Sequence, residues 1–220
     1  MAHAPGTVRC VLLDHDMALG VDRLAGADEA GRGCLAGPLV AAAVCLDLRS
    51  MSSTAREALS GLDDSKRLTP RRRAALVGAV WAHADQVVVI SATPRTIDTD
   101  GLHRTNINAM IRALRGIVPA ADLALVDGFD LGPDAPPHQK VIKGDATSAA
   151  IAAASVIAKE ARDRLMRGPA AATYPAYGFE GHVGYITAAH KDAVRAHGPS
   201  PLHRLSFNSD AYGDDLTLFQ

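Results

Sequence analysis

The chain has 220 residues, with 23 Lys and Arg against 24 Asp and Glu for a formal net charge of -1, which excludes a strong overall electrostatic grip on nucleic acid and leaves only a local basic patch. Hydrophobic residues make up 48% but aromatic residues only 4%, so the core has to be built from Ala, Val, Leu and Ile, as in an α/β protein of one globular unit. The three cysteines, Cys10, Cys34 and Cys45, lack the paired short spacings of a zinc or redox motif, and no apolar run approaches membrane-spanning length.

Residues 1–20 have no clean period and read as a leader segment lying against the fold. Acids follow Val11, Leu12 and Leu13 too closely for a signal sequence, so a cytoplasmic protein is expected. Val21 to Ala27 suits a strand and Pro38 to Leu46 a second, with the glycine-rich GRGCLAG as the long turn of a hairpin. Asp63 to Arg67 is a polar loop, after which Thr69 caps a helix opened by Pro70, with Leu76, Ala79, Val80 and His83 on one face. Val87 to Ser91 reads as a short buried strand. Ile107, Met110, Ile111 and Leu114 mark the inner face of a helix that stops at Gly116. Leu123 to Val126 is a buried strand ending in Asp127 and Gly128. A further strand, Lys140 to Lys143, leads through Gly144 and Asp145 into an alanine-rich helix from about Ala146 to Met166. From Gly168 the composition turns to Pro, Gly, Tyr and His, with one short helix from Thr187 to His197 closed by Gly198. One domain is expected over 1–220: a leader (1–20), a core (21–167), a C-terminal cap (168–207) and a tail (208–220).

Most acids of a soluble chain sit on solvated helix faces. Four escape that default: Asp28 and Glu29 end an apolar strand, Asp127 ends a second, and Asp145 stands at a helix start directly after a third. Strand ends and the helix starts that follow them are where α/β sheets bind ligands. Each acid alone has a plainer reading, Asp145 as a helix cap, Asp127 as a turn residue, Asp28 and Glu29 as a hairpin corner, so only their joint placement points to chemistry. Carboxylate oxygens without cysteine or paired histidines suit hard ions such as magnesium or manganese. Two such ions suit in-line displacement at phosphorus, hence phosphodiester hydrolysis. Adjacent residues on a regular strand face opposite ways, so a shared site for Asp28 and Glu29 requires the strand to end at Asp28.

Gly31, Gly33 and Gly37 nearly imitate a dinucleotide fingerprint, but the third glycine is one position late and Pro38 opens a strand, not a helix. The remaining role for bare glycines is close approach of backbone to a ligand, with Arg32 as a fork for phosphate. Lys66, Arg67 and Arg71 to Arg73 would suit a phosphate backbone, although a basic run is usually a solvated face. Tyr174, Tyr177, Phe179 and Tyr185 could stack on a base or sugar, or simply anchor their loop. Asp163, four residues after Lys159, reads as an ordinary helical ion pair.

GADEAGRG (26–33), DDSKRL (63–68), LVDG (125–128), KGD (143–145), AAASVIAKEARD (152–163), YPAYGFEGHVGY (174–185) and HRLSF (203–207) occur in an order that resembles the ribonuclease HII family over residues 24–207. The resemblance implies a ribonuclease H-like fold, a mixed five-stranded sheet flanked by helices with a C-terminal helical cap. It implies an endonuclease on the RNA strand of RNA/DNA hybrids that also cuts 5′ of a single ribonucleotide in duplex DNA, leaving 3′-hydroxyl and 5′-phosphate ends, with a role in ribonucleotide removal. Its metal-binding acids fall on Asp28, Glu29, Asp127 and Asp145, for two divalent ions, Mg2+ or Mn2+. Its substrate contacts fall on Gly31, Arg32 and Gly33, near the ribose 2′-hydroxyl, and on Tyr185 against the junction sugar; Lys66 of the basic run is counted with them as a substrate-binding candidate. Val183 stands where the family commonly has lysine, which weakens one phosphate contact that the resemblance implies. A monomer without membrane attachment is expected, and a protein partner at the tail DDLTLFQ stays open. The rivals are a non-catalytic nucleic-acid-binding domain, against which the four acids speak, and a small-molecule phosphatase, for which a phosphate loop is missing.

Overall fold

Five strands, β1 (Arg23–Ala30), β2 (Leu39–Asp47), β3 (Gln86–Ala92), β4 (Leu123–Asp127) and β5 (Gln139–Val141), form one sheet in the order β3-β2-β1-β4-β5. The computed structural model describes residues 10–63, 65, 68–117 and 120–212. β2 runs antiparallel to both β1 and β3, whereas β4 lies parallel to β1 and β5 parallel to β4, so the sheet is mixed, as expected. The helices are α1 (Val11–Ala18), α2 (Ser53–Leu59), α3 (Pro70–His83), α4 (Pro94–Asp100), α5 (Leu102–Ile117), α6 (Ala149–Leu165) and α7 (Ala188–His197), with shorter turns between the last two.

Alternation along β1 divides the core into two layers. Leu24 and Ala30 pack with Val40, Ala42, Val44, Leu46 and Leu125 against the alanine-rich face of α6. Ala25 and Ala27 pack with Ala41, Ala43 and Val126 against Met110, Leu114 and Ile117 of α5. Small residues set the spacing: a Cβ on Gly26 would overlap the backbone of Ala150 and Ile151, so glycine lets α6 lie directly on β1. A third cluster, with Leu35, Met166, Tyr177, Phe179, Val183 and Val194, seats the C-terminal cap on the β1–β2 turn.

Several expectations need correction. The leader contains a helix, α1, whose Leu13 and Asp16 are buried against the core; Asp16 accepts from Ser148 Oγ and the Ala150 N–H, a long-range cap that local periodicity does not reveal. β1 runs on to Ala30, because Glu29 and Ala30 keep pairing with Ala41 and Val40. β3 is an edge strand and only half-buried. α5 continues through Gly116, whose missing side chain accommodates Val88. α6 begins at Ala149, capped by Ser148, whose Oγ accepts from the Ile151 N–H. The Thr69 cap with Pro70 is as expected, whereas Thr187, expected as the first residue of the last helix, is its N-cap and α7 begins at Ala188. Residues 1–9 and the tail motif DDLTLFQ lie outside the described residues.

Candidate active site

The parallel pairing of Ala27 with Val126 brings Asp28 and Asp127 to adjacent positions at the carboxyl ends of two neighbouring strands. Both extend the alternation of residues that face α6, Leu24 and Gly26 on one strand and Leu125 on the other. Asp28 is only 6% exposed. Its burial first, and then the charges of Glu29 and Asp127, push its carboxyl well above the usual value of 3.8, against the opposing hydrogen bonds from Ser155 and the Glu29 N–H. A buried carboxyl destabilised by two neighbouring carboxylates is what a cation would relieve.

Asp127 is positioned from the other side. Lys143 takes a left-handed conformation, φ 55°, and turns the following N–H of Gly144 onto Asp127 Oδ1 at 2.6 Å. That places Asp145, in the single turn Gly144–Ala146, beside the end of β4. Since Ser148 caps α6, Asp145 is not the cap of that helix. Asp127 does stand at a turn, where the Phe129 N–H returns to its carbonyl across Gly128, but its side chain reaches Gly144, 17 residues on.

Glu29 departs from the expected geometry. The strand does not end at Asp28, so alternation does not lapse there; Glu29 leaves the strand from the α5 side, with Oε1 3.9 Å from Arg32 Nε. Its extra methylene has to carry the carboxylate around the strand end to meet Asp28, whose charge it already influences. Among the described residues no three His, Cys, Asp or Glu side chains converge into a ligating group as they stand. As a donor set, buried and strand-end carboxylate oxygens fit a hard divalent ion.

The glycine turn lies against the same strand end. Gly31 has φ 92°, and a Cβ there would overlap the Arg162 side chain and the Pro38 carbonyl. Gly33 differs, since a Cβ there would meet nothing within 4 Å. Its bare backbone therefore faces open space. The Arg32 guanidinium lies 4.7 Å above the Phe129 ring, two residues beyond Asp127. Tyr185 is 38% exposed, with Lys159 Nζ 5.1 Å and the Arg162 guanidinium 5.8 Å from its ring. Lys66 lies outside the described residues, but its neighbour Ser65 is bound to Ser155 Oγ at 2.9 Å, beside Asp28.

Other expectations resolve by burial. Tyr177 and Phe179 are buried and anchor the cap. Arg71 and Arg72 are exposed, but Arg73 is buried, donates to the Ser65 and Leu68 carbonyls and stands 3.6 Å from Glu160. Asp163 does pair with Lys159 at 2.7 Å, yet it is buried and also within ion-pair reach of Arg73 and Arg167. Val183 is buried, and its carbonyl accepts from Arg162. All three cysteines are buried free thiols. The site residues missed by sequence reasoning are Ser155, Arg162, Phe129 and Arg204. A buried arginine contradicts its residue type's ordinary preference, and only the carbonyls that receive it reveal the role.

A mixed sheet of this order, helices on both faces and acids at the ends of β1 and β4, defines a nuclease of the ribonuclease H-like class. The ribonuclease HII family model matches residues 25–210. The chain is 47% identical over 185 residues to a "Ribonuclease HII" of Rhizobium meliloti (strain 1021), covering 84% of this chain and 82% of the relative. Its fold is similar to that of the ribonuclease H2 from Pyrococcus horikoshii OT3, at 27% identity and TM-score 0.66 over 84% of this chain and 94% of that one. It also resembles, in fold, Bst-RNase HIII in complex with Mn2+, at 21% identity and TM-score 0.69 over 89% and 70% of the two chains. The chain belongs to the ribonuclease HII family. It is accordingly a metal-dependent ribonuclease, a hydrolase that acts as an endonuclease on the RNA strand of RNA/DNA hybrids.

Proposed function

We propose that the enzyme also cuts duplex DNA on the 5′ side of a single embedded ribonucleotide, leaves 3′-hydroxyl and 5′-phosphate ends, and serves in removal of misincorporated ribonucleotides during replication and repair in the cytoplasm, as a monomer. The observation that carries the reading is the juxtaposition of a crowded carboxylate ledge, Asp28 and Asp127 at adjacent strand ends, with the bare backbone of Gly33. A 2′-hydroxyl both donates and accepts, so exposed peptide groups suit it, and it is what distinguishes RNA from DNA at a site.

Asp28, Glu29, Asp127 and Asp145 would hold magnesium or manganese, two ions in the working complex. Bound there, such ions supply water activation and stabilisation of the leaving oxygen at phosphorus. Asp127, oriented by the Gly144 N–H, keeps one oxygen directed while its other remains for ligation. Burial between two carboxylates is what raises Asp28, and a bound cation would offset that penalty. Arg32, spread over Phe129, faces a backbone phosphate with its fork, and Tyr185 packs on the sugar at the junction. Substrate contacts made through Gly31 and Gly33 read shape and sugar, not base sequence.

The test is a duplex DNA carrying one ribonucleotide, incubated with and without divalent metal, with the cut mapped to the nucleotide. A cut on the 5′ side, abolished by EDTA and restored by magnesium or manganese, is expected. Cleavage 3′ of the ribonucleotide, or undiminished turnover in chelator, would refute the reading. Asp127→Asn is expected to abolish cleavage while leaving substrate binding intact, and full activity in that variant would remove Asp127 from the site.

A further inference from the structure

The cap contains three imidazoles whose protons can be assigned from their partners. His190 Nδ1 lies 2.9 Å from the Tyr185 carbonyl, which only accepts, so that nitrogen carries the proton and the neutral ring leaves Nε2 bare. His203 Nδ1 receives the Ser200 N–H at 2.9 Å and is therefore bare, which puts the proton of the neutral ring on Nε2. The two Nε2 atoms stand 3.1 Å apart, and the assignment makes His203 the donor and His190 the acceptor. His182 stacks on His190 with centroids 4.2 Å apart, donates from Nε2 to the Tyr177 carbonyl and accepts the Gly184 N–H at Nδ1. A directed chain thus runs from Ser200 through His203 and His190 to the peptide of Tyr185.

The segment it serves needs such ties. Val183 and Gly184 have φ 45° and 87°, and a β-branched residue in the left-handed region is strained unless its surroundings hold it. Arg162 binds the Val183 carbonyl, His182 binds the Gly184 N–H, the Ala36 N–H binds the Gly184 carbonyl, and the Tyr185 N–H donates to the His182 carbonyl. With His190 on the Tyr185 carbonyl, both peptides flanking Tyr185 are fixed, and so is the direction in which its ring leaves the backbone.

The next residue, Arg204, does the same for the glycine turn. It is buried, donates twice to the Gly37 carbonyl and once, at 2.9 Å, to that of Arg32. The backbones of Leu202–Arg204 and Leu35–Gly37 are joined by two further hydrogen bonds, which form an antiparallel bridge between Ala36 and His203.

We propose that His203 and Arg204 form one anchor that sets the position of Tyr185, through His190, relative to the turn at Arg32, and that His190 and His203 are positioning residues for substrate engagement. The inference rests on the reading of Tyr185 as a substrate contact. His190 touches no substrate; it acts through Tyr185.

The test is a double-mutant cycle on cleavage of an RNA/DNA hybrid, with KM and kcat measured separately and the thermal midpoint of each variant recorded. Tyr185→Ala is expected to lower kcat/KM on the order of tenfold, the scale of losing one stacking contact. His190→Leu is expected to cost a similar factor, mainly in KM, in the otherwise unchanged enzyme and almost nothing in the Tyr185→Ala background. His190→Asn, which keeps an N–H near the Nδ1 position, should recover most of the loss, and it serves as the folded comparison if the leucine variant is unstable. Equal costs of His190→Leu in both backgrounds, or His190→Asn as impaired as His190→Leu, overturn the positioning role alone. Unchanged kcat/KM in Tyr185→Ala overturns the substrate role of Tyr185, and the relay with it.

Discussion

Acid should destabilise this fold through its two buried imidazoles. Burial, opposed by the bond to the Tyr185 carbonyl, holds His190 down to about 4 from 6.5, and burial with the neighbouring His190 does the same for His203. Because the folded state binds these protons less readily than the unfolded chain, stability is full above about pH 6.5 and is lost as the pH falls towards 4. At about pH 5 an unfolded imidazole is almost fully charged and the folded one almost neutral. The gap is roughly 1.5 units, or about 2 kcal/mol per histidine at 1.36 kcal/mol per unit. The two share one hydrogen bond, so their joint loss lies between about 2 and 4 kcal/mol. Asp28 works in the opposite sense, since its raised carboxyl binds a proton more readily in the folded state and gives back stability as the pH drops. The histidine contribution is therefore read as a difference: urea unfolding of the wild type and His190→Asn at about pH 7.5 and pH 5, with the slope of each transition checked for constancy. The wild type should lose about 2 kcal/mol more than the variant over that interval. Equal losses would refute the assignment of two neutral imidazoles.

Gly26→Ala forces a methyl into the backbone of Ala150 and Ile151, which cannot rotate aside, and should cost about 3 kcal/mol, measured as a fall in the urea midpoint. A neutral result would mean that α6 does not rest on β1. Gly31→Ala meets both a left-handed backbone and the Arg162 side chain, so hybrid cleavage should drop on the order of a hundredfold, about 3 kcal/mol of lost transition-state stabilisation. By contrast, Gly33→Ala should keep the fold's thermal midpoint within a degree or two, roughly, since its Cβ meets nothing, and should lower cleavage only through the substrate. A large loss of stability there would place Gly33 in packing, not recognition. Arg204→Met leaves the Gly37 and Arg32 carbonyls without their donors and should cost about 3 kcal/mol in stability.

Much of the architecture was legible in order along the chain. The runs Pro38 to Leu46 and Leu123 to Val126 are apolar throughout because both faces of a central strand are covered, and they became β2 and β4. The cap at Thr69 is local chemistry, visible in a few residues. α1 was not legible, because its stability comes from Asp16 reaching Ser148 and Ala150 and not from its own pattern. The start of α6 was placed three residues early for a related reason. Gly144–Ala146 forms its own turn to satisfy Asp127, and Ser148 then opens the helix.

For the site, the sequence by itself singled out four acids by position: Asp28 and Glu29 close one apolar run and Asp127 another, whereas Asp145 follows the short, largely exposed strand Gln139–Val141. It also determined that a glycine-framed arginine sits beside the first pair. Only the tertiary structure decided how these parts meet. The register of β1 against β4 puts Asp28 next to Asp127, whereas continued pairing to Ala30 sends Glu29 off the opposite face. Arg162 and Arg204, which tie the turn to the cap through carbonyls more than a hundred residues away, lie inside the motifs AAASVIAKEARD and HRLSF, but nothing local in those motifs names the carbonyls they bind. Local sequence encodes alternation, capping and turn chemistry because those are short-range. Long-range hydrogen bonds to backbone carbonyls depend on which surfaces the fold brings together, and any residue's carbonyl can accept them.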